Sequence, residues 1–416
     1  MDKKINHTAF YVPLGVDKEW LFAQIKEGSL FDFEDTLQKM EGEIFSYSVL
    51  KYFIEEEIRH DKMEVAMGHS STLSFSSSGE QRKALLLHLI KKNPAYLIID
   101  GLFESLDKDT RQSILLALEN LSTNTLIFQI FNRKDELLPF IETVYCIQDH
   151  GISGCYSPDE FKHLFAKHKE GFSGNIPPPL NGLSVQKGPL VKMVNVSVQF
   201  DGRTILQNIS WEINAGEFWQ LSGPNGSGKS TLLAMITGDS AKGYGQNLEL
   251  FGKRKGSGES VWDIKKMIGY FTPKMSSQFE RQDSILQMIV SGFFDSVGLY
   301  IQPSDRQLQI AQQWLKVIGM DKNKNQPFRL LSDARQRMVL VARAMVKHPP
   351  LLILDEPCSG LDDEMAAKFT ALIGMIASET NTAIIYVSHK EEEGLMPEKV
   401  FQLIPALDGS TGRMLW

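Results

Sequence analysis

The stretch Gly223-Pro224-Asn225-Gly226-Ser227-Gly228-Lys229-Ser230-Thr231 decides the fold. It follows a short apolar run, Glu217-Phe218-Trp219-Gln220-Leu221, that reads as a buried strand, and it opens a predicted helix. Strand, glycine-rich turn and helix are the context in which the spacing G-x-x-x-x-G-K-S cradles a polyphosphate. The glycines let successive backbone N–H groups curl around phosphate oxygens, and the helix N-terminus adds its dipole. Lys229 is placed to reach the β- and γ-phosphates, and the Ser230 hydroxyl to reach Mg²⁺.

Outward from this loop, strands and helices alternate. Upstream, Val194-Asn195-Val196-Ser197-Val198-Gln199-Phe200 alternates as a strand, turns at Asp201-Gly202 and returns as a second strand over 205–213. Downstream, residues 307–318 and 335–346 carry helical periodicity. Leu351-Leu352-Ile353-Leu354 is apolar throughout, as a strand covered on both faces must be, and 383–387 is another such run. This pattern predicts an α/β domain with a mostly parallel sheet. The first apolar run ends in Asp355-Glu356-Pro357. A carboxylate at the carboxyl end of a buried strand lies beside the phosphate loop in such sheets. Asp355 is then a candidate Mg²⁺ holder, acting largely through water, and Glu356 the group that polarises the attacking water. The second run leads into Val387-Ser388-His389. His389 is a candidate sensor of the γ-phosphate, against the plainer alternative of a structural histidine.

The chain has 416 residues, 42% hydrophobic and 23% charged, a globular balance with room for about two to three domains. Its 44 Lys and Arg against 51 Asp and Glu give a net charge of −7, without the basic footprint of a nucleic-acid binder, so no nucleic-acid partner is expected. Cys146, Cys155 and Cys358 form neither a CxxC pair nor a metal spacing, which excludes a disulfide or zinc framework and suits a reducing cytosol. No apolar run approaches the roughly 18–20 residues that span a bilayer. The opening Met-Asp-Lys-Lys-Ile-Asn-His lacks the apolar core of a secretory signal. A cytoplasmic chain is expected, any membrane role being exercised through a partner at the inner face of the membrane.

Residues 167–190 hold Gly171, Ser173, Gly174, Pro177-Pro178-Pro179, Asn181-Gly182 and Gly188-Pro189. Pro and Gly at this density break helix and strand, so the segment reads as a polyproline-like connector between a domain at 1–166 and one at 191–416.

The phosphate loop, Asp355-Glu356 and His389, together with Ser359-Gly360-Leu361-Asp362 just after the acids, resemble the ATP-binding cassette (ABC) ATPases across all of 191–416. The resemblance implies ATP as substrate and Mg²⁺ as cofactor. It makes residues 359–362 the D-loop, His389 the switch histidine and Phe200 the aromatic that stacks on adenine. Read alone, Phe200 is equally a core residue. The chain departs from the family at its signature, Leu331-Ser332-Asp333-Ala334-Arg335-Gln336-Arg337, where LSGGQ is expected. Ala334 replaces a glycine that lets backbone approach phosphate, and Asp333 adds a repelling charge. Pro273 stands where the glutamine of the Q-loop is expected.

A repeat search then finds a second copy upstream. Ser77-Ser78-Gly79-Glu80-Gln81-Arg82 opens an apolar helix, Leu97-Ile98-Ile99-Asp100 is a strand ending in an acid, and Ser105-Leu106-Asp107 repeats the D-loop. Ser77 and Ser332, and likewise Asp100 and Asp355, are 255 positions apart. The expected fold class is α/β, two P-loop NTPase domains of ABC type in tandem, the first truncated and degenerate. Gly101 stands where Glu356 stands, and Asn132 where His389 stands. Gly15-Val16-Asp17-Lys18-Glu19-Trp20-Leu21 aligns with residues 226–232, so Lys18 survives, while Asp17 and Glu19 replace a glycine and the Mg²⁺-binding serine. Two carboxylates there would repel a triphosphate. The strands that precede the phosphate loop are expected to be missing from this copy.

In the family, such domains pair head to tail, each ATP lying between one domain's phosphate loop and the other's signature. By that geometry the intact loop at 223–231 meets the first-half signature, making Ser77 and Gly79 candidate ATP-binding residues, and the damaged loop meets the damaged signature. One competent composite site is implied, favoured by a tether that raises effective concentration to about the mM range. Residues 256–266, 291–300, Lys347-His348-Pro349 and Asn132-Arg133 resemble the bacterial tandem ATPases of the molybdenum-transport ATP-binding or photorepair type. Two roles follow: an ATPase subunit that energises a membrane permease, or a soluble ABC ATPase that remodels or regulates a cytosolic partner.

Overall fold

Strand order is the first thing the two halves share. The structure is a computed structural model describing residues 6–28, 30, 37, 39–60, 64–65, 72–76, 78–103, 106–148, 150–164, 172, 174–180, 188–279 and 282–415. The chain divides into two units, Met1–Lys169 with Gly360–Glu364, and Glu170–Ser359 with Met365–Trp416.

In the first unit, β1 (Thr8–Tyr11), β2 (Gly42–Phe45), β3 (Tyr96–Asp100), β4 (Leu126–Phe131), β5 (Thr143–Gln148) and β6 (Gly151–Tyr156) form one sheet in the order β2-β3-β4-β1-β5-β6. All neighbours are parallel except β5 and β6. Helices α1 (Lys18–Glu27), α2 (Tyr47–His60), α3 (Ser78–Lys91), α4 (Lys108–Ser122) and α5 (Pro158–Leu164) complete it. Alternate side chains of a strand point to opposite faces. Ala9, Tyr11, Leu97 and Ile99 therefore join one core cluster, and Phe10, Ile98, Phe128 and Ile130 another. That two-sided burial is why these strands read as unbroken apolar runs.

The second unit begins with β7 (Val191–Phe200), β8 (Arg203–Ile213), β9 (Phe218–Ser222), α6 (Lys229–Ile236), β10 (Leu248–Leu250), β11 (Lys253–Arg254) and α7 (Val261–Lys266). It continues through β12 (Ile268–Phe271), α8 (Ile285–Ser291), α9 (Asp305–Val317), α10 (Asp333–Met345), β13 (Leu351–Asp355), α11 (Asp363–Glu379), β14 (Ala383–Val387), β15 (Lys399–Ile404) and β16 (Thr411–Leu415). Its main sheet runs β12-β13-β14-β9-β15-β16, which reproduces the first sheet strand for strand, including the final antiparallel pair. Among the described residues, only this unit has a further antiparallel sheet, β11-β10-β7-β8. Trp211 of β8 stacks on Phe401 of β15 with centroids 4.5 Å apart and meets Trp219 of β9 edge-on at 5.6 Å. These fully buried rings fasten the antiparallel sheet over the strand that feeds the phosphate loop.

Smaller details repeat, at offsets of 255 and 257 positions. Asn93 and His348 both take φ 48° just after helices α3 and α10, each followed by a proline. The hydroxyls of Thr125 and Thr382 donate to the carbonyls of those prolines, Pro94 and Pro349, both at 2.9 Å. One expectation needs correcting: the first unit does have a strand directly ahead of its degenerate loop, β1, which occupies the place of β9. It is the β7–β8 hairpin that has no counterpart among the described residues. Much of the connector expected at 167–190 lies outside the described residues. Of the rest, Pro177 is buried and the Ile176 N–H donates to the Glu379 carboxylate at 2.7 Å, both within the second unit.

Candidate functional site

Parallel strands β13, β14 and β9 are neighbours, so their carboxyl ends deliver Asp355, Ser388-His389 and the 223–231 loop to one edge of the second unit. That edge is where open α/β sheets bind ligands. The loop is shaped by its glycines. A Cβ on Gly223 would sit 2.8 Å from both the Leu403 carbonyl and Ser227 Oγ, and Gly228 (φ 94°) caps α6 in a left-handed conformation. Helix α6 is then fixed by buried Leu232, Leu233, Met235 and Ile236, each burial contributing roughly 1.5–3 kcal/mol. Lys229, buried at the first helical position, donates from Nζ to the carbonyls of Gly223 at 2.8 Å and Pro224 at 3.0 Å. Asn225 and Thr231 are half-buried, while Gly226 and Ser230 are exposed.

A triphosphate with its metal fits this loop. Ser227 Oγ is buried with no hydrogen-bond partner, in a cradle that a side chain at Gly223 would crowd. Lys229 would meet the phosphates. Ser230 and Asp355 supply the hard oxygen donors that Mg²⁺ takes.

The structure brings Glu356 and His389 together, which the sequence treated separately: Nε2 of His389 lies 2.7 Å from Oε1 of Glu356. Ser388 Oγ, accepting from the Lys390 N–H at 3.1 Å, shapes the turn that presents the imidazole. Burial pushes the Glu356 carboxyl up, but the hydrogen bond from His389 and the charges of His389, Lys229 and Lys274 outweigh it and hold the group below the ordinary range. Asp355 goes the other way: burial, then the charge of Glu356, raises it despite the same cations. Adjacent carboxyls thus differ in how readily they ionise.

Phe200 is 42% exposed at the end of β7, opposite Arg203, with Lys242 Nζ 5.0 Å above its ring. Core packing, the alternative reading, is not its place. Pro273, at the expected Q-loop glutamine, starts a 3-10 helix, Pro273–Gln278, in which no residue is buried.

The first unit's loop is differently spent. Gly15 has φ 96° and α1 begins at Lys18, as Gly226 (φ 75°) precedes Lys229. Asp17, however, is extended (φ −69°) where Gly228 is left-handed, and its carboxylate caps α1 by accepting from Glu19 N at 2.9 Å. Lys18 Nζ pairs with Asp100 at 2.7 Å.

Of the signature residues, Ser77 lies outside the described residues and Gly79 is buried in the first turn of α3. Ala334 is buried in α10. Asp333, expected to present a repelling charge, has its carboxylate paired with Arg337 at 2.6 Å. Two further pairs were not singled out in the sequence. Gln81 and Gln336 donate back to carbonyls of the preceding turn, at Leu73 (2.8 Å) and Leu331 (3.2 Å). Arg82 donates to the Gly101 carbonyl, and Arg337 to those of Pro357, at 3.0 Å, and Ser359. Both pairs are 255 positions apart, the spacing already found at the acids.

Residues 206–359 match the ABC transporter family model. The ABC transporter ATP-binding protein ModF of Escherichia coli (strain K12) is 39% identical over 332 residues, covering 77% of this chain and 67% of ModF. The chain belongs to the ABC ATPase family. An uncharacterized ABC transporter ATP-binding protein of Schizosaccharomyces pombe is 29% identical over 333 residues, covering 78% of this chain and 66% of its own. The chain thus spans about two thirds of the length of these two relatives. A solved complex of the archaeal ribosomal stalk protein aP1 with the archaeal ribosome recycling factor aABCE1 covers 99% of this ABC ATPase and 85% of that chain, with TM-score 0.65 and 14% identity, a likeness of fold. ABC ATPases bind ATP, typically with Mg²⁺, and pair their domains. Among the described residues, no helix is long and apolar enough to cross a membrane.

Proposed function

We propose that this chain hydrolyses ATP at one competent composite site, and that it does so as the energising subunit of a membrane permease. The observation that carries the hydrolytic reading is the contact of Glu356 with His389, 2.7 Å, beside Asp355 and an intact phosphate loop. Lys229 and the loop amides bind the phosphates, Ser230 and Asp355 hold Mg²⁺, and Phe200 offers its exposed face to adenine. Bound Mg²⁺ would draw charge from the phosphate oxygens. Glu356 takes a proton from the attacking water on the oxygen not engaged by His389. The water oxygen bonds to the γ-phosphorus as the bond to the β–γ bridging oxygen breaks. His389 keeps the carboxylate oriented and ionised, and its place after β14 suits it to sense the γ-phosphate. The first unit supplies the signature, Ser77 and Gly79, from a domain whose own loop is occupied by its own carboxylates. The permease role rests on the names of the relatives, which are ABC transporter ATP-binding proteins. Co-purification with an integral membrane protein tests it, and recovery with a cytosolic protein alone would favour the soluble role. For the composite site, Gly79→Asp should leave initial ATP binding near normal and stop hydrolysis, while Ala334→Asp should do little. The reverse result would mean that the first unit does not serve this site.

A further inference from the structure

Glu356 occupies a conformation that side-chain-bearing residues rarely adopt. Its φ is 49°, in the left-handed region. The equivalent residue of the first unit, Gly101, has φ 62° and meets no penalty there, because it has no Cβ. The chain therefore makes the same turn at the end of β3 and β13, once with a glycine and once with a carboxylate that must be held against its preference.

Four hydrogen bonds and an ion pair hold it, the first from the Ser359 N–H to the Glu356 carbonyl at 3.2 Å. The Glu356 N–H donates to the Val387 carbonyl at 3.0 Å, tying the turn to β14. Arg337, from the second turn of α10, donates to the carbonyl of Pro357 at 3.0 Å and to that of Ser359. Its guanidinium is nearly buried, and its remaining arm is fixed by Asp333 at 2.6 Å. One terminal nitrogen serves both carbonyls while the planar group turns the other to Asp333, and Nε is buried without a partner; an ammonium cannot reproduce that fixed arrangement. We propose that Arg337 is a positioning residue for hydrolysis: it clamps the turn after Glu356 so that this carboxylate keeps its strained backbone and stays against His389. The proposal rests on the reading of Glu356 as the base. It also gives Asp333, a departure from the family signature, a task as the anchor of that arginine.

The test uses the full chain with Arg337→Met and Arg337→Lys, each alone and with Glu356→Gln. Hydrolysis rate, equilibrium affinity for a non-hydrolysable ATP analogue and thermal midpoint are measured. Amide exchange over residues 356–359 is followed without nucleotide. Arg337→Met should lower kcat by about 10- to 100-fold, the scale of a small misplacement of a catalytic group, with analogue affinity nearly unchanged. Exchange at 356–359 should speed up while the β9 and β14 amides keep their protection. Arg337→Lys keeps the charge and the Asp333 pair, should fall between, and serves alone where the methionine variant does not fold. On the Glu356→Gln background, either change should add no further loss, because there is no base left to place. A further loss there, or a fall in affinity and thermal midpoint matching that in kcat, would make Arg337 merely structural and overturn the proposal. A wild-type rate in Arg337→Met beside a slow Glu356→Gln would overturn it too, leaving the reading of the base intact. A wild-type rate in Glu356→Gln itself removes the reading and the proposal together.

Discussion

Lys18 and Lys229 open equivalent helices and point their ammonium groups at different things. Lys229 donates to two carbonyls of its own loop, neutral acceptors that a phosphate oxygen can replace with a gain in electrostatic energy. Lys18 is paired with Asp100 at 2.7 Å, and the Asp100 side chain is only 14% exposed. Drawing Lys18 away to a phosphate would exchange one anion for another and take a cation from a mostly buried carboxylate, which is costly. The cap of α1 tells the same story. The dipole that greets phosphate at α6 is already answered at α1 by the Asp17 carboxylate. One fold thus gives a loop open to an anion and a loop that carries its own anions, and three or four side chains decide which.

The largest effect expected from this comparison is on nucleotide binding. Lys229→Ala should weaken binding of a non-hydrolysable ATP analogue by about 100-fold or more, as loss of charge-assisted hydrogen bonds implies. Lys18→Ala should leave the titration unchanged, with a single nucleotide bound per chain. Two nucleotides bound by the wild type would break the comparison. Survival of binding in Lys229→Ala would break the assignment of the loop.

Next comes the rate of hydrolysis. Glu356→Gln should bind the analogue normally and turn over about 10²- to 10⁴-fold more slowly. Gly101→Glu, which puts an acid at the matching place in the first unit, should add no activity to it. No histidine stands at the position of Asn132 to orient the new carboxylate. Recovery of hydrolysis in the double variant would show that the two units differ less than their loops imply.

The features that repeat were legible because they are local. The phosphate loop is a contiguous spacing, the acids end unbroken apolar runs, and one 255-position offset links the signature segment to the acids in both halves. The partner of Lys18 was not legible, since it sits 82 positions away on a strand separated from β1 by β4. The Asp333–Arg337 pair is legible in principle, because residues four apart share a helix face. On Phe200 the sequence is silent for a physical reason. Alternation along β7 says that side chains change face, but not that the strand's last residue outruns the sheet covering it. Its 42% exposure comes from the hairpin turn at Asp201-Gly202. Likewise, the meeting of Glu356 and His389 needs β13 and β14 to be neighbours in register, with Asp355 opposite Val387.

The smallest expected effect is on stability without nucleotide or metal, and here the two aspartates should move in opposite directions. Asp100→Asn removes the partner of Lys18 and should lower the thermal midpoint of the first unit, the loss in stability being about 1 kcal/mol for a partly exposed pair. Asp355 is buried next to Glu356, and burial followed by that neighbouring charge raises its carboxyl above the ordinary range. The folded protein therefore holds this proton more tightly than the unfolded chain does. The associated stability is fully present below the ordinary aspartate range and is lost as pH rises through the folded value. At neutral pH the ionised group is a cost, so Asp355→Asn should raise the midpoint of the second unit while weakening its hold on Mg²⁺. The same substitution should flatten the gain in midpoint that mild acidification gives the wild type, provided both are measured in chelator. Parallel shifts in Asp100→Asn and Asp355→Asn would mean that the second acid, like the first, is compensated within its own unit, and the contrast between a spent and an available site would rest on the lysines alone.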